Sequence, residues 1–373
     1  MNAPILTQAE GAWVLTAGGE RLLDLVNGYG AVFLGHGDAA VRAAVHRQVD
    51  QLWSVGRWPT PPLHDALAAA TSLLPAGMRM AGLYSTGMEG MEFALRVASL
   101  HTGRRGLVAF ARSMHGKSAL TAGLAWPQGA WRPDALQTLP FVGSESPAAV
   151  LDRLADTLTG GDIAALVVEP VQGSNGGHAV DAEWLAAAQR LCHAHGTLLV
   201  LDEILTGLFR TGPAFVSTSL TAAADLLVFG KCMANGLPVS GVALRDSIGV
   251  PAAALPGSTF AGNAVVAAAA AATLRALAAP GTVDVVLALE AAWRDALAPL
   301  PTLGITVRGR GALVLIELAD DAQARAVEAA LQRQAVLVAG SGRWIRLLPS
   351  LACTPAQLHE ACSRLVRSVR GTV

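Results

Sequence analysis

Residues 195–236 read HGTLLVLDEILTGLFRTGPAFVSTSLTAAADLLVFGKCMANG. Two short apolar runs stand out, residues 198–201 and 226–229, and each stops at a residue that is costly to bury alone. The first meets Asp202 and Glu203; the second, one glycine later, meets Lys231. Apolar runs this short, bounded by turn formers, predict buried strands of an α/β sheet. Ligands of open α/β sheets sit beyond the carboxyl ends of the strands. This stretch therefore puts a carboxylate and an amine where a ligand would be held.

Pyridoxal phosphate is a cofactor whose chemistry needs that pair: a lysine for the Schiff base and an acid opposite the pyridine nitrogen. A carboxylate at contact distance favours the protonated ring nitrogen, which can then take up electrons from a breaking substrate bond. A lysine in a dry pocket has a lowered pKa, which makes it a nucleophile and a proton shuttle. An ordinary ion pair at a sheet edge would use the same two residues, so the pair does not decide the matter alone.

The remaining chain narrows the choice. Its 373 residues are enough for two domains, and 27 basic against 28 acidic side chains leave no basic block for nucleic acid. Cys192, Cys232, Cys353 and Cys362 have no metal or redox spacing. No metal is expected, and a reduced, cytoplasmic setting fits. The start, MNAPILTQAEG, lacks the basic and apolar parts of a signal peptide, and residues 264–274 are too few to span a bilayer. No membrane partner is expected.

In chain order, residues 11–27 predict a hairpin turning at Gly18-Gly19, and Asp38 predicts the cap of a helix through Leu52. A second helix over residues 62–74 follows the linker 53–58. From about residue 82 to 260 strands alternate with helices, which predicts parallel β-α-β units. After Pro280 a helix, strands and two further helices predict a separate α+β unit of about a hundred residues.

Several segments together resemble the class III (ω-type) aminotransferases, a fold type I pyridoxal phosphate family. They are LLDLVNGYGAVFLGHGDAAVRAAVHRQ at 22–48, STGME at 85–89, MHG at 114–116, EPVQG at 169–173, DEILTG at 202–207, RTG at 210–212, GSTFAGN at 257–263 and IRLLP at 345–349. The resemblance runs from about residue 11 to 365, and the order and spacing carry it, since each segment alone is weak. It implies a large, mostly parallel sheet domain at 51–275 and a smaller α+β domain at 276–373, joined by the N-terminal segment 1–50. It also implies transfer of an amino group between an amine or amino-acid donor and a keto or aldehyde acceptor.

The resemblance further implies site residues. Lys231 and Asp202 would be catalytic, and Thr86, Gly87 and Met88 would form a phosphate cup. A helix start with its dipole suits phosphate, although a plain Ser/Thr cap uses the same residues. Met114, His115 and Glu169 would line the cofactor. Ser258 and Thr259 would reach the phosphate of a neighbouring subunit, so a homodimer is expected. Arg346 would hold a substrate carboxylate, with Trp58 a further substrate contact. Glu203 is expected either to support the site by hydrogen bonding or to be solvated.

Three departures from the family pattern stand out. Met114 replaces a stacking aromatic residue, Leu205 replaces a Gln that contacts the ring hydroxyl, and Ser174 replaces the acid that neutralises the arginine in the ornithine branch. Racemases, epimerases and aminomutases on the same scaffold compete with transamination. A rival from another class reads Ala111–Ser118, ARSMHGKS, as a relaxed phosphate loop of a nucleotide hydrolase. That loop is short of glycine for a cradle of N–H groups, and the rival leaves Lys231 and Ser258-Thr259 unexplained.

Overall fold

The computed structural model describes residues 4–56, 58–125, 135–140, 142–220, 222–250 and 258–372. The chain opens with three strands, β1 (Leu6–Glu10), β2 (Trp13–Thr16) and β3 (Arg21–Asp24), paired antiparallel in succession. The β2–β3 hairpin turns at Gly18-Gly19 as expected, with Gly19 at φ +83°, a conformation that costs glycine little. Helix Ala39–Val49 starts at Asp38, whose carboxylate accepts from the N–H groups of Ala40 and Val41.

Seven strands form the main sheet: β4 (Met78–Tyr84), β5 (Gly106–Phe110), β6 (Leu136–Leu139), β7 (Ile163–Val168), β8 (Leu198–Glu203), β9 (Leu226–Phe229) and β10 (Ser240–Arg245). Their order across the sheet is β4-β10-β9-β8-β7-β5-β6. β5 to β9 pair parallel, joined through helices such as Pro147–Thr159 and Ala182–Ala194, while helix Gly87–Thr102 leads from β4 into β5. The two runs that opened the reading are β8 and β9, buried along their whole length.

One expectation needs correction. β10 runs antiparallel to both β9 and β4, so the sheet is mixed at that edge. The connection from Phe229 to Ser240 is too short for a crossover, which takes a dozen or more residues; such a return has to be antiparallel.

The last third contributes β11 (Thr306–Arg310), β12 (Leu313–Glu317), β13 (Val336–Leu337), β14 (Ala339–Ser341) and β15 (Trp344–Leu347). β11, β12, β15 and β14 make an antiparallel sheet, and helices Thr282–Leu297, Asp321–Arg333 and Pro355–Arg370 accompany it. β13 pairs parallel with β3, so the first and last parts of the chain share a sheet. β1 and β14 escaped the sequence reading: β1 is exposed throughout and β14 is three residues long, so neither shows a burial pattern. Among the described residues no single helix is long and apolar enough to cross a membrane.

Candidate active site

Asp202 lies at the end of β8 and Lys231 just beyond β9, on neighbouring parallel strands. Asp202 is buried; its Oδ1 accepts from Ile204 N at 3.0 Å, and its Oδ2 lies 2.7 Å from His115 Nδ1. Lys231 takes φ +45° in a tight turn, an uncommon conformation for a side chain with a Cβ. That turn is fixed to the N-terminal segment through Asn235, which accepts from Leu34 N and donates to Gly35 O.

The helix Gly87–Thr102 brings its start to the same place. Thr86 Oγ1 accepts from Glu89 N, so the plain cap is present. A Cβ at Gly87 would lie 2.9 Å from Ile204, and one at Gly116 would lie 2.9 Å from Met88 and closer still to Thr121. Glycine at these two positions lets the helix start, the Asp202 turn and the Met114–His115 loop close on one another. The N–H groups of Gly87 and Met88, as at any helix start, have no intrahelical acceptor.

Glu169 is buried at the end of β7. Its Oε1 accepts from Met114 N at 2.6 Å and its Oε2 from Gly173 N at 3.1 Å. Gly173 O accepts from Arg346 Nη1 at 3.0 Å, and Ser174 Oγ lies 3.4 Å from the same nitrogen. Arg346 stands on β15, half-buried, with its guanidinium carbon 5.7 Å from the Tyr29 ring. Its Nε is buried without a partner.

These groups perturb one another. Desolvation lowers the Lys231 amine, and Arg346 and Arg210 add to that, while Asp202 and Glu169 oppose it. Desolvation alone would lower His115, but the hydrogen bond and charge of Asp202, with Glu169, raise it on balance. Desolvation pushes the Glu169 carboxyl up to about 7, with Asp202 adding to the rise and His115 opposing it. Burial also lowers Arg346.

Asp202, His115, Glu169, Lys231 and Arg346 thus share one electrostatic site, with Thr86, Gly87, Met88 and Met114 beside it. Met114 is half-buried and belongs to no apolar core cluster. Leu205 is buried with Val171, Leu313, Leu315 and Leu348, and wedges between Gly30 and Gly173. Other expected residues lie apart. Trp58 is 69 % exposed on its loop and Thr259 is also exposed. Ser258 lines a cleft of about 460 Å³ along the helix Gly87–Thr102, with Tyr84, Glu89 and Glu92.

Glu203 resolves to the supporting alternative. It is wholly buried and accepts from Val216 N at 2.7 Å, Ser217 N at 2.8 Å and Thr206 Oγ1 at 3.2 Å. It holds the turn after β8 rather than a ligand. The phosphate-loop reading of residues 111–118 finds no support: Lys117 is exposed, and the Ser118 hydroxyl is engaged by Glu92 and Thr121.

Two features lie in segments quoted above but were given no role there. Arg210 is fully buried, with its guanidinium 3.8 Å from the Phe33 ring and hydrogen bonds to Gly30 O, Ala312 O and Pro349 O. Asn27, Gly28, Tyr29 and Gly30 all take positive φ, and Asp24 braces that run by accepting from Val26 N and Asn27 N. The Asn-Gly pair was the signal available for the second feature. For the first, the RTG segment marked the arginine, but its acceptors are backbone carbonyls, which carry no residue signature.

Comparison with known proteins agrees with this geometry. The family model Aminotransferase class-III matches residues 2–369. The chain is 34 % identical over 360 residues to an Aeropyrum pernix protein provisionally assigned as a LysW-aminoadipate semialdehyde/glutamate semialdehyde transaminase, covering 95 % of this chain and 91 % of that one. It is 32 % identical over 374 residues to the acetylornithine aminotransferase of Bacillus subtilis, covering 98 % and 94 %. A structure of the ornithine aminotransferase from Toxoplasma gondii, with partial occupancy of PLP at its active site, superposes with a TM-score of 0.86 at 26 % identity, covering 100 % of this chain and 91 % of that one.

The residues present also fit the cofactor. His115 Nε2 and Arg346 Nε are buried and unpartnered. Two free N–H groups stand at a helix start, and a lysine and an aspartate close neighbouring strand ends. This donor set suits an anionic, phosphorylated ring. The chain belongs to the class-III aminotransferases of fold type I and is a pyridoxal-phosphate-dependent transferase of amino groups.

Proposed function

We propose that the amino donor carries a carboxylate, which Arg346 reads, and that it passes its amino group to a keto or aldehyde acceptor. The single observation behind this is the state of Arg346. Its guanidinium is half-buried, bonded to Gly173 O and Ser174 Oγ rather than to a carboxylate among the described residues, and its Nε is unpartnered. A desolvated cation with open donors favours an anion, and a guanidinium grips a carboxylate with two parallel hydrogen bonds that lysine cannot copy. Ser174 lies where an acid would neutralise it, so that position adds no competing charge.

The bound cofactor supplies an electron sink for the bond broken at the substrate carbon. Lys231 holds it and moves the proton at Nζ between substrate and cofactor, a task its lowered pKa favours. Asp202, held in place by the 2.7 Å contact of its Oδ2 with His115 Nδ1, would be the acid opposite the ring nitrogen. The starting N–H groups of helix Gly87–Thr102, with Thr86, would hold the phosphate. Met114, in place of a flat ring, leaves a softer and wider side toward the acceptor.

The working unit in this reading is a homodimer. Thr259 is exposed, as is its neighbour Phe260, and Trp53 and Trp58 expose large apolar surface on a loop far earlier in the chain; Trp53 O accepts from Ala264 N, which ties the two segments together. Ser258 and Thr259 then complete the neighbour's phosphate site, and Trp58 contacts substrate from the same rim. Residues 1–50 with 276–373 act as one small domain against 51–275, which the β3–β13 pairing supports. Four buried free cysteines accord with a reducing, cytoplasmic setting.

The test is a half-reaction followed by the cofactor's absorption. Arg346→Lys should raise the apparent KM of an α-amino acid donor far more than that of a primary amine lacking a carboxylate. Equal losses with both, or none with either, would show that Arg346 does not read the carboxylate.

A further inference from the structure

Glu169 has both carboxylate oxygens committed to backbone, and the two donors belong to different loops. Met114 N, at 2.6 Å, leads directly into His115, whose ring nitrogen lies 2.7 Å from Asp202. Gly173 N, at 3.1 Å, belongs to the residue whose carbonyl accepts from Arg346 at 3.0 Å. The contacts form a continuous line from Asp202 through His115, Met114, Glu169 and Gly173 to Arg346. One end is the acid for the cofactor ring; the other is the cation for the substrate.

We propose that Glu169 is the positioning residue that sets the Asp202–His115 pair and Arg346 at a fixed distance from each other, so that cofactor and substrate carboxylate are registered on one support. The inference rests on the reading of Arg346 given above. Only a side chain with two acceptor oxygens and this reach satisfies both N–H groups. A glutamine offers one oxygen and would turn its NH₂ toward the other N–H. An aspartate keeps the charge but is one methylene short. Gln172, which donates to Ala111 O and Ser113 Oγ, and Asn175, which donates to Arg112 O, tie the same loops independently. Losing Glu169 would therefore shift the loops without separating them.

The experiment compares Glu169→Gln, Glu169→Asp and Arg346→Lys holoenzymes in two readouts. One is the pH midpoint of the bound cofactor's visible absorption without substrate. The other is the ratio of apparent KM values for an α-amino acid and for a primary amine lacking a carboxylate. Both Glu169 variants should move the midpoint and raise the KM ratio about tenfold, the size of one lost charge-assisted contact. The aspartate matters most, because it separates reach from charge. Arg346→Lys should move the ratio and leave the midpoint in place.

If Glu169→Asp matches the wild type in both readouts, the charge alone matters and the proposal is overturned. It is equally overturned if Glu169→Gln changes neither. If Arg346→Lys leaves the ratio unchanged, the carboxylate reading falls, while the midpoint still judges Glu169. Should the glutamine variant fail to fold, the aspartate variant carries both readouts.

Discussion

His115 Nδ1 lies 2.7 Å from Asp202 Oδ2, with both side chains closed to solvent. Burial by itself would strip the imidazole of its proton; the carboxylate outweighs it and leaves His115 a stronger base than usual. An acid at this strand end is the group that would favour a protonated ring nitrogen. Asp202→Asn should leave the fold intact, lower the melting temperature by the loss of the buried pair, and cut turnover about a thousandfold, as loss of ~4 kcal/mol of transition-state stabilisation requires. Steady-state kinetics beside calorimetry decides this, and near-normal turnover would make Asp202 structural.

Lys231 is the amine that should carry the cofactor. Purified protein should be yellow, and borohydride should fix the cofactor to Lys231 in a peptide map. An adduct on Lys117, which is exposed, would defeat the assignment. Lys231→Ala should abolish turnover.

The shared site can be examined by mixing. Lys231→Ala and Thr259→Ala parents, each impaired, should recover part of the activity as mixed dimers, since one of the two sites then has both intact residues. A fully active monomer by sedimentation would rule this out.

Glu169 gives a pH signature on the cofactor-free protein. Its folded pKa of about 7 stands above its usual 4.5, so between these values the folded state binds more protons than the unfolded one. Stability from this group is complete at low pH and is lost as pH rises through about 7. The melting temperature should therefore fall from pH 5 to 8, and more gently in Glu169→Gln, which cannot titrate. Equal slopes in the two proteins would remove Glu169 as the cause.

The placement of Asp202 and Lys231 at the ends of buried strands was legible because each closes a four-residue apolar run. The His115–Asp202 contact was not: 87 residues separate the partners, and no local pattern encodes which neighbour a buried imidazole will choose. The antiparallel β10 was readable in principle, from the length of the connection after Lys231. Thr259 and Trp58 show the opposite limit. Their segments were found, but a single chain leaves both exposed, so their roles depend on a surface that the sequence of one subunit does not display.

The clamp at Arg210 has a consequence for how the protein is made. Its three acceptors, Gly30, Ala312 and Pro349, lie 180, 102 and 139 residues away in sequence. Two of them emerge from the ribosome after the guanidinium does. Until Pro349 has been synthesised, this charge has no complete set of acceptors and stays hydrated. Contacts of such separation close late, and the segment 345–349 that completes the clamp also carries Arg346. A nascent chain can build its central strands early, but it cannot close the Arg210 clamp, or seat Arg346 beside it, until residue 349 is free.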